Sequence, residues 1–202
     1  MVRLLRLFAL LGLFCQASAQ NPDIDLLKRI NLERNRNLDG GFTVLSGSVA
    51  PLGLALPLGI AGAGLVAKNP DLQRKGLEMG AAVLVNTGLT LAVKYTVARP
   101  RPYVTYPVLD NTTTEASPSF PSGHTSFAFA TATSLTLNFP KWYVAVPAYL
   151  WAGGVGYSRM HLGVHYPTDV LAGAITGAGS AWLTHRAQRW LTQKRQRRPS
   201  KP

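Results

Sequence analysis

The chain has 202 residues, a length that suits one domain, and carries 21 Lys and Arg against 9 Asp and Glu, a formal net charge of +12. This excess favours an anionic partner, which is a nucleic acid, a phospholipid surface or a phosphorylated substrate. The one cysteine, Cys15, excludes a disulfide framework, and thiol catalysis is also excluded if the N-terminal segment is removed.

Residues 1–19 have the features of a cleavable secretory signal peptide. Two arginines precede an apolar core, Leu7–Phe14, that is short for a membrane span, and an Ala-Ser-Ala sequence supplies small residues for cleavage. The mature chain is then predicted to begin at Gln20. An uncleaved membrane anchor is the alternative, and the residues before Cys15 do not favour lipid attachment.

Residues 20–41 are predicted to form an amphipathic segment at a membrane interface. An ordinary helix on the surface of the domain explains the same pattern. The apolar residues recur at roughly helical spacing in an otherwise polar stretch, and they are Ile24, Leu27, Ile30 and Leu38.

Five apolar segments follow, and they predict an all-α bundle of about five membrane-spanning helices within a domain at 42–186. Gly, Ala, Ser and Thr are abundant in them, as in closely packed membrane helices. The second and fifth are short when only uncharged residues count, so a soluble helical domain stays open. The segments are Gly40–Ala67, Gly76–Val97, Ser122–Phe139, Trp142–Tyr157 and Thr168–Leu183.

The distribution of basic residues predicts an orientation in the membrane. If all five segments span, Lys68–Lys75 and Pro140–Lys141 lie on the same side as the basic C-terminal tail, 187–202. An excess of Lys and Arg marks the cytoplasmic side. The tail is predicted to rest on anionic lipid headgroups rather than to bind nucleic acid, although a solvated charge run fits equally well. The sequence predicts no oligomeric state.

The first of three chemical motifs is Lys94–Pro102. Lys94 and Arg101 are seven residues apart, a spacing that returns both to nearly the same helix face. Arg99 would point elsewhere, so the contact with a phosphate is assigned to Arg101. A guanidinium offers forked donors to phosphate oxygens, and a lysine adds a point charge. Taken alone, the motif is better explained as a basic cluster that contacts lipid headgroups.

The second motif, Pro121-Ser122-Gly123-His124, suits a turn that opens a helix. Free backbone N–H groups there favour an anion, and Gly123 lets the backbone approach it closely. Ser122 could cap the helix or donate to a phosphate oxygen, and the sequence does not separate these roles. His124 could protonate a leaving oxygen as a general acid, although a lone histidine at a helix start is more often structural.

The third motif is Ser158–Arg159 followed by His165 and Asp169. Pro167 predicts a helix start beside it, with His165 just outside the helix and Asp169 in its first turn. The four-residue spacing lets the carboxylate hold one imidazole nitrogen and leaves the other nitrogen ready to attack. An acid that stabilises a helix N-terminus is the alternative role for Asp169.

Neither a metal nor a cofactor is predicted. Asp169 is the only carboxylate inside the motifs, and hard divalent ions need several oxygen ligands. Two histidines and one carboxylate could hold zinc, but three adjacent cations favour an anion. His161, which lacks an obvious partner, is interpreted as lining or structural, and His185 as part of the basic tail.

Together the motifs resemble the signature of the type 2 phosphatidic acid phosphatase family, which shares its site with bacterial nonspecific acid phosphatases and vanadium haloperoxidases. The signature is Lys, six residues, Arg-Pro; then Pro-Ser-Gly-His; then Ser-Arg, five residues, His, three residues, Asp. Every specified position is matched between Lys94 and Asp169. The pattern is specific for the superfamily and not for the substrate.

The resemblance implies an all-helical fold and the hydrolysis of phosphomonoesters or diphosphates without a metal. By analogy, His165 attacks phosphorus and carries a phosphohistidine, Asp169 orients it, and His124 protonates the leaving group. The other motif residues would stabilise charge on the phosphoryl oxygens, and they are Lys94, Arg101, Ser122, Gly123 and Arg159.

The layout resembles a bacterial member of the family in the inner membrane, with its site facing the periplasm. Expected substrates are lipid phosphates or polyprenyl diphosphates, such as phosphatidate, phosphatidylglycerophosphate, undecaprenyl diphosphate or lipid A, and Tyr103–Phe120 is expected to shape the choice. The alternatives are a soluble periplasmic acid phosphatase, a vanadate-dependent haloperoxidase, and a non-enzymatic basic anchor or nucleic-acid-binding protein.

Overall fold

A computed structural model describes residues 21–196, so the signal peptide predicted at 1–19 and the end of the predicted tail lie outside the described residues. Within that range the protein is all-helical and has no strand, as the sequence predicts. The helices are α1 (Pro22–Leu32), α2 (Asp39–Gly47), α3 (Val49–Val66), α4 (Pro70–Val97), α5 (Pro102–Thr105), α6 (Gly123–Asn138), α7 (Trp142–His161) and α8 (Pro167–Gln196), with a 3-10 turn at Arg36–Leu38.

Local sequence explains where α4 begins and ends. Asn69 caps its start by accepting hydrogen bonds from the backbone N–H groups of Asp71 and Leu72, both at 3.1 Å, and Pro70 takes the first helical position. At the other end Ala98 adopts a left-handed conformation with φ of 49°. The following arginine precedes a proline, which disfavours further helix. This turn directs Arg99 out of the helical path.

Three boundaries differ from the sequence expectation. The first apolar segment is divided at Ser48 into α2 and α3, and Trp151 of α7 donates to the Ser48 hydroxyl at 2.9 Å. The segment predicted at 20–41 is divided into α1, the 3-10 turn and the start of α2. The final helix, α8, continues to Gln196, so part of the predicted tail is helical.

The core of the bundle is centred on α6, which packs against α4, α7 and α8. Small residues allow the close approach of α8, because a Cβ atom added at Gly177 would lie 2.9 Å from the backbone nitrogen of Ala130. Where α6 faces α3 and α7, the buried residues are Val49, Ala128, Ala132, Ala152 and Val155.

Two stretches, Arg36–Val66 and Pro70–Thr105, are long and apolar enough to cross a membrane by length and composition. Large apolar side chains also face outward on the other long helices, for example Leu150 on α7 and Ile175 on α8. That five helices of the chain span the membrane remains a prediction from the sequence.

Candidate active site

The three sequence motifs meet at one end of the bundle. The end of α4 supplies the first motif, the start of α6 the second, and the α7–α8 connection the third. The backbone N–H of Ser122 donates to the carbonyl of Asp169 at 3.0 Å, which joins the second motif to the third. Arg101 of the first motif lies 3.0 Å from the His165 ring. Residues far apart in sequence therefore share one site.

His165 has a defined tautomer in this site. Its Nε2 lies 3.0 Å from Nη1 of Arg101, and its Nδ1 lies 3.3 Å from Oδ2 of Asp169. A guanidinium can only donate, so Nε2 accepts and Nδ1 carries the hydrogen. The lone pair of Nε2 therefore points towards the cationic side chains.

Burial sets the protonation state of this imidazole. His165 is fully buried, and burial lowers its pKa to about 3. The hydrogen bond to Asp169 raises the pKa and the charge of Arg101 lowers it, both by less than burial does. The ring is therefore neutral at neutral pH, which is the state that a nucleophile requires.

The Asp169 carboxylate is held from several directions. Ser119 donates its hydroxyl to Oδ2 at 2.5 Å, and the backbone N–H of Tyr166 donates to the same oxygen at 3.0 Å. On the other side, Arg99 donates to Oδ1 at 2.8 Å. The motifs did not identify Ser119, and they directed Arg99 away from the phosphate without giving its partner.

Two buried guanidinium groups share one carboxylate. Arg101 forms an ion pair with Oε2 of Glu115 at 2.6 Å, and Arg159 pairs with Oε1 of the same residue. The Nε of Arg159 is buried and has no hydrogen-bond partner among the described residues. Sequence reasoning missed Glu115, although it is one of only two acids in the loop Tyr103–Phe120.

The remaining motif residues surround the same position. Lys94 is buried and donates from Nζ to the carbonyl of Pro118 at 2.5 Å. The Ser122 hydroxyl accepts from the Thr125 hydroxyl at 2.9 Å and from the Thr125 N–H at 3.5 Å, which is the geometry of a helix cap. A Cβ added at Gly123 would lie 3.6 Å from Cε of Lys94.

A cavity of about 330 Å³ begins at these groups. Its lining includes the motif residues Lys94, Gly123 and His124, together with Glu115. It extends between the α2–α3 region and α4, where the lining includes the apolar residues Val49, Ala50, Leu91 and Phe127. The lining is thus partly polar and charged and partly apolar, and Glu115 connects it to Arg101 and Arg159 through its two ion pairs.

The two other histidines of the described residues have carboxylate partners away from this pocket. His161 Nε2 lies 2.8 Å from Oδ1 of Asp39, a partner that the sequence did not reveal. His185 Nδ1 lies 2.5 Å from Oε1 of the buried Glu78. His185 is therefore packed into the bundle rather than being only part of a tail.

Comparison with known proteins identifies the family. A model of the PAP2 superfamily matches residues 75–193, which is more than half of the chain. The chain belongs to the PAP2 superfamily.

Curated relatives of the chain are phosphatases. This chain is 29% identical over 189 residues to an undecaprenyl-diphosphatase of Sulfolobus acidocaldarius, with 90% of this chain and 87% of that protein aligned. It is 39% identical over 77 residues to a lipid A 4'-phosphatase of Bacteroides thetaiotaomicron, with 38% of this chain aligned. The match spans only 34% of the length of that relative.

Two solved structures share the fold. One is LpxE of Aquifex aeolicus, with a TM-score of 0.70, 27% identity, and coverage of 83% of this chain and 96% of that chain. The other is a transmembrane PAP2-type phosphatidylglycerolphosphate phosphatase of Bacillus subtilis, with a TM-score of 0.73, 27% identity, and coverage of 94% and 96%.

Proposed function

We propose that this protein is a metal-independent phosphoric ester hydrolase that acts on lipid phosphates or polyprenyl diphosphates through a phosphohistidine intermediate. The observation that carries the proposal is the position of His165. Its neutral imidazole presents Nε2 to Arg101, and Arg101 pairs with Glu115, which lines a cavity together with Lys94, His124 and apolar residues of α3, α4 and α6.

In the first step the Nε2 lone pair of His165 attacks phosphorus, and the bond from phosphorus to the leaving oxygen breaks. His124, which lines the cavity, gives its proton to that oxygen. The positive charge that develops on the imidazole is stabilised by Asp169, which holds Nδ1–H. The product is phosphohistidine and a dephosphorylated alcohol or a lipid monophosphate.

In the second step a water attacks phosphorus and gives a proton to His124, and the phosphorus–nitrogen bond breaks to release phosphate and His165. Charge on the non-bridging oxygens is stabilised in both steps by preorganised donors. These donors are Lys94, Arg101, Arg159, the Ser122 hydroxyl and the Gly123 N–H.

A lipid substrate is supported by the surroundings of the pocket. The cavity extension has apolar residues from α3, α4 and α6, which suits a hydrocarbon chain attached to a phosphate. Outward-facing apolar side chains on the same helices, such as Leu58 at 71% exposed and Leu84 at 74%, suit contact with a bilayer. The relatives named above act on undecaprenyl diphosphate and lipid A.

We place the protein in the inner membrane of a bacterium, with the site facing the periplasm. The domain boundaries proposed from the sequence accompany this arrangement: a signal peptide at 1–19, an interfacial segment at 20–41, the helical domain at 42–186 and a basic tail at 187–202. Trp142 and Tyr143 at the start of α7 are exposed, as expected for aromatic residues at a membrane interface.

The test is phosphate release by protein purified in detergent, measured with EDTA present. Substrates are phosphatidate, phosphatidylglycerophosphate, undecaprenyl diphosphate, lipid A and p-nitrophenyl phosphate. We expect release from at least one lipid, and His165→Asn should lower kcat by at least about a thousandfold, as loss of a nucleophile does. An acid-labile phosphoenzyme should be trapped by rapid quench only when His165 is present.

Two results would contradict the proposal. Turnover that survives His165→Asn would remove this residue as the nucleophile. Phosphate release from p-nitrophenyl phosphate alone would favour a soluble acid phosphatase instead, if carbonate extraction of the membranes also releases the folded protein into the soluble fraction.

A further inference from the structure

Asp23, at the start of α1, is connected to the Asp169 carboxylate by a single arginine. Arg99 donates from Nη2 to Oδ2 of Asp23 at 2.7 Å and from Nη1 to Oδ1 of Asp169 at 2.8 Å. Asp169 in turn lies 3.3 Å from Nδ1 of His165. A continuous line of alternating charge therefore runs from the first described helix to the proposed nucleophile.

The guanidinium in this line is fixed in orientation. The Cζ of Arg99 lies 3.7 Å from the centre of the Tyr166 ring, and Nη1 also donates to the Thr168 hydroxyl at 2.8 Å. A planar fork that meets a carboxylate at each end and stacks on a ring has little rotational freedom. Asp23 is the partner that holds the end remote from Asp169.

Arg99 binds one oxygen of Asp169, and His165 faces the other. Oδ1 accepts from Arg99, whereas Oδ2 accepts from Ser119 and the Tyr166 N–H beside Nδ1 of His165. If Oδ1 lost its donor, only the contacts at Oδ2 would hold the carboxylate, and its plane would turn more freely about the Cβ–Cγ bond beside the imidazole. Holding Oδ1 therefore holds the orientation of the ring.

Asp23 also contacts the helix that carries Asp169. Its Oδ1 accepts from the backbone N–H of Thr168 at 2.8 Å, and its Oδ2 accepts from the Thr168 hydroxyl at 2.6 Å. An acceptor for a first-turn N–H is the usual function of a helix cap, but here α1 supplies it to α8. Asp23 therefore holds both the start of α8 and the guanidinium of Arg99 in position.

Other contacts hold α1 in place without Asp23. Ile24 and Leu27 are buried against Leu109 and Tyr166. At the far end of α1 the fully buried Asn31 accepts from the backbone N–H of Asp110 at 2.9 Å and donates to its carbonyl at 3.0 Å. A substitution that removes only the charge of Asp23 should therefore leave α1 docked.

We infer that Asp23 is a positioning residue for the proposed hydrolysis, acting through Arg99 on the carboxylate that orients His165. The inference rests on the proposed function, and it assigns α1 a part in the site. No sequence motif contains Asp23, and it touches no group that would contact the phosphate.

The test compares kcat and KM of Asp23→Asn, Arg99→Gln, the double variant and Asp25→Asn. Asp25 lies on the same helix and is exposed, so it is the matched control. We expect Asp23→Asn to lower kcat about tenfold, the scale for removal of a group that orients a functional side chain, with little change in KM. The double variant should be no slower than Arg99→Gln alone, because residues that act as a unit are not additive.

Thermal unfolding distinguishes a role of Asp23 in positioning the site from a role only in capping α8. If Asp23 only caps α8, Asp23→Asn lowers Tm while the kcat of the folded, monodisperse protein equals that of Asp25→Asn, and the inference is overturned. Independent, additive effects on kcat overturn it as well. Should Asp23→Asn fail to fold, Asp23→Glu keeps the charge on a longer side chain, and a lower kcat at unchanged KM is again expected.

Failure of the proposed function gives a different result. A wild type that hydrolyses none of the phosphoesters removes the proposed function, and this inference falls with it. An active wild type whose kcat is unchanged by Asp23→Asn removes the inference alone.

Discussion

Nη1 of Arg101 lies 3.0 Å from Nε2 of His165, so a cation proposed to bind phosphate and the proposed nucleophilic atom are direct neighbours. Nη2 of the same guanidinium is paired with Glu115, which also pairs with Arg159. A phosphoryl group that approached His165 would meet both arginines already engaged by one carboxylate. The substrate must therefore displace Glu115 or share the two cations with it.

Glu115→Gln should therefore tighten binding of the substrate phosphate. The substitution removes the negative charge of Glu115, which competes with the substrate phosphate for Arg101 and Arg159. One such partly exposed ion pair is worth about 1 kcal/mol, or about fivefold in a binding constant. We expect KM for a lipid phosphate and the inhibition constant of orthovanadate to fall by about that factor. The exposed Glu33 supplies the control, Glu33→Gln. Unchanged constants in both variants would show that Glu115 does not compete with the substrate.

The buried imidazole should make the stability of the protein depend on pH. Burial lowers the pKa of His165 to about 3, whereas the unfolded chain has a value of about 6.5. Between these values the unfolded chain binds a proton that the folded protein does not, so the free energy of unfolding falls as the pH falls. Above the unfolded value neither state binds this proton, and the contribution is constant.

The measurement is Tm against pH for the wild type and His165→Asn. From about pH 6.5 down to about pH 4.5 we expect the wild type to lose Tm more steeply, because Asn binds no proton. Titrating groups that do not contact His165 contribute to both curves and cancel in the comparison. Asp169 is the exception, because His165 helps to lower the pKa of its carboxyl. Parallel curves would mean that the ring is protonated in the folded protein at these pH values.

The sequence predicts the fold class and the family because both depend on local patterns. Apolar segments of helical length are visible without tertiary information. The residues of each motif are also close in sequence, although no single helix carries either pair. The helix with Lys94 ends at Val97 before Arg101, and the helix with Asp169 begins at Pro167 after His165. The expectation that Lys94 and Arg101 share one helix face is therefore wrong, because Ala98 turns the chain between them. The structure brings all the motif residues to one end of the bundle.

The residues that the sequence did not reveal come from elsewhere in the chain. Asp23 is 145 residues from its partner Thr168, and no helical or strand period relates them. Ser119 and Glu115 belong to a loop, where spacing does not define direction. The division at Ser48 was also missed, because the run around it is uncharged, although Gly47 precedes Ser48 and Pro51 follows it closely. The continuation of α8 was missed because Lys and Arg, read as a tail, are also good helix formers.

Two glycines on α8 should respond in opposite ways to substitution by alanine. A Cβ at Gly177 would collide with the Ser126 carbonyl on α6 and lie 2.9 Å from Ala130 N, whereas one at Gly179 would have nothing within 4 Å. We expect Gly177→Ala to destabilise the protein by about 1–3 kcal/mol through overpacking. Gly179→Ala should leave stability unchanged or raise it by up to about 1 kcal/mol, since alanine favours the helix.

Thermal unfolding in detergent measures both effects. Gly177→Ala should also lower kcat, because α8 carries Asp169 and its displacement from α6 would move the carboxylate. Equal Tm values for the two variants would mean that α6 and α8 are not in the close contact described.

Blocking the cavity should separate lipid substrates from small ones. Ala50 lines the cavity together with the apolar Val49, Leu91 and Phe127, so the indole of Ala50→Trp would fill space that a lipid chain is expected to occupy. Leu58→Trp is the matched control, because Leu58 lies on the same helix but is exposed. An overpacking cost of about 1–3 kcal/mol corresponds to a loss of about fivefold to 150-fold in kcat/KM for the lipid. Hydrolysis of p-nitrophenyl phosphate should be unchanged in both variants, because this small substrate has no lipid chain to accommodate. If Ala50→Trp slowed both substrates equally, the effect would lie in the catalytic groups, and if it slowed neither, the lipid chain would occupy another surface.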